Sequence, residues 1–204
     1  MSESQDLDQA ARHQRRMEKK KAVVDAAIAR ASIQRGLVLV LTGNGKGKSS
    51  SAFGMVARAL GYGYPCAVFQ FIKGAIDTGE QAFFSAQPLV QWDICGEGFT
   101  WETQNLARDK ELAQAGWEKA REALCNPDIR LVVLDEITYL FNYGYLALEP
   151  VLEALKNRPA QQHVVLTGRA AKTELIELAD TVSRVDEIKH AFRAGVAAQP
   201  GVDL

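Results

Sequence analysis

Residues 42–51 read TGNGKGKSSS and follow the apolar run LVLVL at 37–41. Gly43, Gly45 and Gly47 alternate with Asn44, Lys46 and Lys48, and Ser49 and Ser50 come next. A buried strand that breaks into glycines and then opens a helix reads as a phosphate loop. The glycines let backbone N–H groups turn inward around an anion. A helix beginning near Lys48 adds the positive end of its dipole. Lys48 supplies a point charge for phosphate oxygens, and the Ser49 hydroxyl is placed to ligate magnesium. The usual motif starts on glycine, where this chain has Thr42. That position only makes the turn out of the strand, and the following residues make the cradle.

Outward from the loop, a second apolar run, RLVVLDE at 130–136, ends in Asp135 and Glu136. Alone, an acid pair after a strand reads equally well as the cap of a following helix. Beside a phosphate loop it reads as the acid that faces a bound magnesium ion. Ser49, Asp135 and Glu136 are therefore the candidate metal ligands. Strand and helix patterns alternate throughout: strands at 37–42, 66–72, 90–94, 130–136, 163–168 and 181–188, and helices at 50–61, 103–126, 148–158 and 173–180. Apolar strands separated by helices predict an α/β fold, a phosphate-loop (RecA-like) parallel sheet with helices on both faces.

Residues 1–35 differ from the rest. Arg12, Arg15, Arg16, Lys19, Lys20 and Lys21 make a basic stretch that becomes alanine-rich, without Gly or Pro between residues 11 and 30. This predicts a helical arm over about 10–33, ahead of a nucleotide-binding domain over 36–204. The arm reads either as a solvated helix or as one whose charges meet anionic ligand groups or a partner subunit. The basic run lacks the interleaved aromatics of a nucleic-acid binder, and the net charge of the 204-residue chain is −1, so no nucleic-acid partner is expected. The longest apolar runs are five residues, far below the roughly 20 that span a bilayer. The polar N-terminus is unlike a signal peptide. Cys66, Cys95 and Cys125 are odd in number and widely spaced, which argues against a disulfide framework or zinc site and for a reducing cytoplasm.

The stretch CGEGFTWETQN at 95–105 sets two large rings, Phe99 and Trp101, among polar residues and glycines. Such a pair serves as a lid or ligand platform, or tucks against the sheet. Arg169 and Lys73 follow strands on the expected ligand side, and surface salt bridges would explain them equally well. His190 reads better as a structural hydrogen-bonding residue than as a metal ligand.

TGNGKGKSS, QFIKG (70–74), GFTWETQN (98–105), VVLDE followed by TY (132–139), TGR (167–169), LAD with TVS (178–183) and KHAF through 201 together resemble the ATP:corrinoid adenosyltransferases of the CobA/BtuR type. The resemblance runs from about residue 11 to the C-terminus. It implies transfer of the 5′-deoxyadenosyl group of ATP to the cobalt(I) of a reduced corrinoid, with tripolyphosphate leaving whole. The loop residues Gly43, Asn44, Gly45, Lys46, Gly47, Lys48, Ser49 and Ser50 would then hold a leaving group, with Lys48 and Glu136 as catalytic residues and magnesium or manganese as the ion. It further implies that Phe99 and Trp101 crowd the lower face of the corrinoid, that a reduced flavin protein donates electrons, and that the enzyme is a homodimer whose N-terminal helix folds over an active site. A small-molecule kinase or ATPase, and a nucleotide-gated carrier without chemistry, are the competing readings. A generic kinase gives no reason for the Phe99 and Trp101 pair.

Overall fold

The computed structural model describes residues 3–72, 78–96 and 106–203. The chain divides into two compact units, Met1–Gln34 and Arg35–Leu204. The first is one helix, α1 (Glu3–Arg30), with exposed side chains over 9–30. It starts earlier than the expected residue 10. It stops short of residue 33 as the chain reaches Ser32 and Ile33, poorer helix formers than alanine.

The second unit alternates as expected. In chain order it runs β1 (Val38–Thr42), α2 (Lys48–Gly61), β2 (Cys66–Phe71), α3 (Gly79–Ser85), β3 (Val90–Cys95), α4 (Leu106–Cys125), β4 (Leu131–Asp135), α5 (Thr138–Asn142), α6 (Glu149–Asn157), β5 (His163–Thr167), α7 (Thr173–Leu178) and β6 (Thr181–Arg184). A 3-10 turn at Ala191–Ala194 follows. The six strands form one sheet in the order β3-β2-β4-β5-β1-β6, and every pairing is parallel. β5 therefore lies between the loop strand β1 and the acid-bearing strand β4.

Strand periodicity sorts the side chains into two cores, since successive residues point to opposite faces. Val38, Val40, Ala67, Phe69, Val132, Leu134, Val164 and Leu166 face one way, against Trp117 and Leu124 of α4, Val151 and Leu155 of α6 and Leu175 of α7. Leu41, Cys66, Val68, Leu131, Val133 and Val165 face the other, against Ala52, Phe53 and Val56 of α2 and Phe84 of α3. The sheet is thus covered on both sides, which is why its central strands read as continuous apolar runs. α3 and α5, of seven and five residues, went unseen in the sequence. They are too short to show a 3.6-residue period.

Gln162 and Gly36 lock the connections. Gln162 is buried, and its amide nitrogen donates to the carbonyls of Ala123, Asn126 and Ile129 at 3.0, 3.1 and 3.0 Å. These carbonyls lie along the turn that carries the chain from the last turn of α4, past Pro127, to the start of β4. Gly36 approaches so closely that an added Cβ would lie 2.0 Å from the Gln162 carbonyl oxygen. No helix among the described residues is long and apolar enough to cross a membrane.

Candidate active site

The C-terminal ends of β1, β4 and β5 meet at one cavity of about 240 Å³. Asn44, Gly45, Lys46, Gly47, Lys48, Ser49 and Ser50 form one wall, and Glu136, Arg169, His190, Glu80 and Asp203 complete it. Gly43 and Gly47 have φ of 106° and 112°, the left-handed region that glycine enters without penalty. Gly47 leads into α2, and no side chain caps that helix. The first amides of α2 have no partner in the preceding turn, so they and the dipole form an anion-attracting end.

Gly45 departs from the expected cradle. Its N–H donates to the Val185 carbonyl at 2.8 Å instead of turning toward a ligand. The Val185 N–H in turn donates to the Thr42 carbonyl at 2.8 Å. The glycine loop is thus tied to the segment after β6. The Thr42 hydroxyl accepts from the Ala171 N–H at 3.3 Å, so threonine at this position fastens β1 to the chain following β5.

Lys48 is 6% exposed, and its Nζ donates to the Gly45 carbonyl at 2.7 Å. Burial pulls its pKa below the ordinary lysine value, with Arg169 acting in the same sense; Glu136 and Asp135 oppose both. Lys46 forms an ion pair with Asp203 at the C-terminal end of the chain.

The two acids of β4 occupy different places. Asp135 is fully buried: Oδ1 accepts from the Thr167 hydroxyl at 2.7 Å and Oδ2 from the Gln70 amide at 3.2 Å. It lies beneath the cavity, not on its wall. The Glu136 N–H donates to Thr167 Oγ1 at 2.8 Å, and Glu136 has φ of 61°. Left-handed backbone at a non-glycine residue costs of order 1–3 kcal/mol and persists where the surroundings enforce it. Here it accompanies a turn that puts Glu136 on the cavity wall beside Ser49. Ile72 and Ala170, at φ of 67° and 48°, are the other such residues among those described. Both also follow strand C-termini on this side of the sheet.

His190 is a structural hydrogen-bonding residue: its Nδ1 accepts from the Phe192 N–H at 3.1 Å and caps the 3-10 turn. Arg169 reaches the cavity. Phe99, Trp101 and Lys73 lie outside the described residues. The sequence offered no sign of Glu80, which sits on the unseen α3, or of Asp203, which lies just past the last motif. Thr167 was visible only as part of TGR.

Sheet order, loop and acid strand together define an α/β protein of the phosphate-loop type. The family model described as ATP:corrinoid adenosyltransferase BtuR/CobO/CobP matches residues 34–204, and one described as Cob(I)alamin adenosyltransferase N terminal matches residues 1–28. A corrinoid adenosyltransferase of Pseudomonas aeruginosa is 56% identical over the whole of both chains. The corrinoid adenosyltransferase CobA of Salmonella typhimurium is 46% identical over 94% of this chain and 97% of its own, and that of Escherichia coli is 45% identical over the same shares. The chain belongs to the ATP:corrinoid adenosyltransferase family.

Proposed function

We propose that this chain transfers the 5′-deoxyadenosyl group of ATP to a reduced corrinoid, with the glycine-rich loop holding the triphosphate as a leaving group. The observation that carries this reading is the single cavity that gathers Lys46, Lys48, the uncapped start of α2, Ser49 and Glu136. Cobalt(I) of the substrate uses its electron pair to form the cobalt–carbon bond at C5′. The C5′–O bond breaks, its pair leaves on tripolyphosphate, and cobalt becomes cobalt(III). Cobalt(I) is itself the nucleophile, so no side chain has to activate it.

The protein's contribution is placement and charge. Holding C5′ in line with cobalt is worth about 7–11 kcal/mol. Lys46, Lys48 and the amides that open α2 stabilise the charge growing on the departing triphosphate. Ser49 and Glu136 would hold magnesium or manganese, because a hydroxyl and a carboxylate lining one cavity are hard oxygen donors suited to such ions. When bound, the ion neutralises triphosphate charge. Asp135 supports that pair from below, through Thr167. Phe99 and Trp101 occupy the space below the corrinoid without coordinating cobalt, which eases reduction of cobalt(II). Electrons come from a reduced flavin protein, and the enzyme works as a homodimer. The free thiols of Cys66, Cys95 and Cys125 fit a reducing cytoplasm.

A product assay tests the reading. The protein, magnesium ATP and a prereduced corrinoid should yield tripolyphosphate and a light-sensitive alkylcobalt spectrum. ADP with an unchanged corrinoid would instead make it a phosphoryl-transfer enzyme.

A further inference from the structure

A second cavity, of about 250 Å³, lies at the opposite end of the strands. It is walled by the starts of β1, β4 and β5, by the last turn of α2 and by Tyr62 and Tyr64. It shares no residue with the loop cavity. Its floor is apolar, from Leu39, Met55, Leu131 and Val165, and its polar side chains are Arg58, Arg130, His163 and the two tyrosines. Among the described residues no carboxylate lines it.

The two arginines of this cavity differ from those that hold a carboxylate. Arg35, Arg108, Arg121, Arg184 and Arg193 each pair with an aspartate or glutamate. Arg58 and Arg130 have no such partner among the described residues. Arg130 Nε is buried with no hydrogen-bond acceptor. Its guanidinium lies over the Tyr64 ring, 5.1 Å from the centroid, and its backbone is fixed at both ends by Pro65 and His163. A desolvated donor left without an acceptor costs about 1–3 kcal/mol, and the charge it belongs to lacks a counter-ion. His163 Nδ1 accepts the Leu37 N–H at 3.1 Å, so in the neutral ring Nε2 carries the proton and is a third donor. Burial, together with Arg130 and Arg158, disfavours the charged ring. Tyr62 and Tyr64 stack at 5.9 Å and add aromatic surface.

We infer that this cavity is a binding site for a small organic anion with one flat apolar body and one carboxylate or phosphate-monoester head. The head meets Arg58 and Arg130, and the body covers the apolar floor beside the tyrosines. Cavities of about 150 Å³ accept benzene, so the volume suits one ring and its head group.

Calorimetric titration of the full chain with phenyl phosphate, benzoate, inorganic phosphate and phenol tests this. Phenyl phosphate or benzoate should bind one to one, and phenol and inorganic phosphate about tenfold more weakly or not at all. Arg58→Gln and Arg130→Gln should each weaken the organic anion by about tenfold, the usual worth of a hydrogen bond to a charged group. Arg58 is on the exposed side of α2, so its variant should melt with the wild type and controls for misfolding at Arg130. Lys48→Ala should leave this binding intact. Loss in Lys48→Ala with none in the arginine variants would assign the anion to the glycine loop and overturn the inference. Equal binding of inorganic and phenyl phosphate would overturn it too, as would no binding of either organic anion.

Discussion

Gly45 needs no unusual backbone angle, yet a side chain does not fit there. A Cβ would lie 2.6 Å from the Asp186 carbonyl oxygen and 2.7 Å from its carbonyl carbon. Alanine usually gains up to about 1 kcal/mol from a stiffer unfolded chain. Here the clash is with backbone that cannot rotate away, and overpacking of that kind costs about 1–3 kcal/mol. Gly45→Ala should therefore lower the melting temperature and weaken ATP binding together, and unchanged values for both would break the proposed tie between loop and post-β6 segment. Lys48→Ala tests charge instead of shape. It removes a buried cation from the proposed triphosphate site, so turnover should fall by about 10²–10³. Normal rates at saturating magnesium ATP would sink the phosphate-loop assignment. The need for glycine at 43 and 47 was legible as local conformation. The need at 45 was not, because it comes from a segment 140 residues further on.

At the scale of elements, the segment through Gln199 to Asp203 reaches the loop cavity, where the proposed function places the triphosphate. Asp203 Oδ2 accepts the Gln199 N–H at 2.9 Å while its other oxygen pairs with Lys46. A triphosphate bound in the loop competes for the same ammonium. Asp203→Asn should therefore lower the KM for ATP, by about fivefold at most because exposed pairs are weak, and leave kcat unchanged. A raised KM would mean that the pair holds Lys46 in its binding position. A second tie joins Arg35 and the start of β1 to the end of α7. Asp180 accepts from Arg35 and, at 2.8 Å, from the Val38 N–H. The Arg35 hydrogen bond, with help from the Val38 N–H, holds its carboxyl below the ordinary aspartate value of 3.8. A depressed carboxylate contributes stability that is fully present above the unfolded pKa and is lost as the pH falls through the folded one. Urea unfolding of wild type and Asp180→Asn should thus differ by a constant amount at neutral pH and converge below about pH 3.8. A gap that persists unchanged into acid would assign the effect to shape. The continuous apolar runs of β1, β2, β4 and β5 and the long amphipathic α4 could be read from sequence. α3, α5 and the Gln162 clamp could not, since each is defined by what packs on it and not by its own pattern.

At the scale of the whole molecule, the two units differ in what holds them. Among the described residues all buried hydrophobic side chains belong to Arg35–Leu204, and the cores are built from strands β1 to β5 and their covering helices. α1 is long and exposed, and its described side-chain interactions are local, such as the Lys21 to Asp25 pair one turn apart. Pairs of that kind contribute about 0.3–0.5 kcal/mol each, too little to fix a helix without packing. Removal of residues 1–34 should therefore leave a unit that unfolds in one cooperative transition, with most of the far-ultraviolet loss explained by 28 helical residues. The product assay then separates folding from function. A truncated chain that melts cooperatively and still binds ATP, yet forms no alkylcobalt product, would give the arm a role in the reaction that its basic residues fit. Full turnover would make it dispensable. A broad or absent transition would show that the α/β unit depends on the arm for its stability, against the burial that this fold displays.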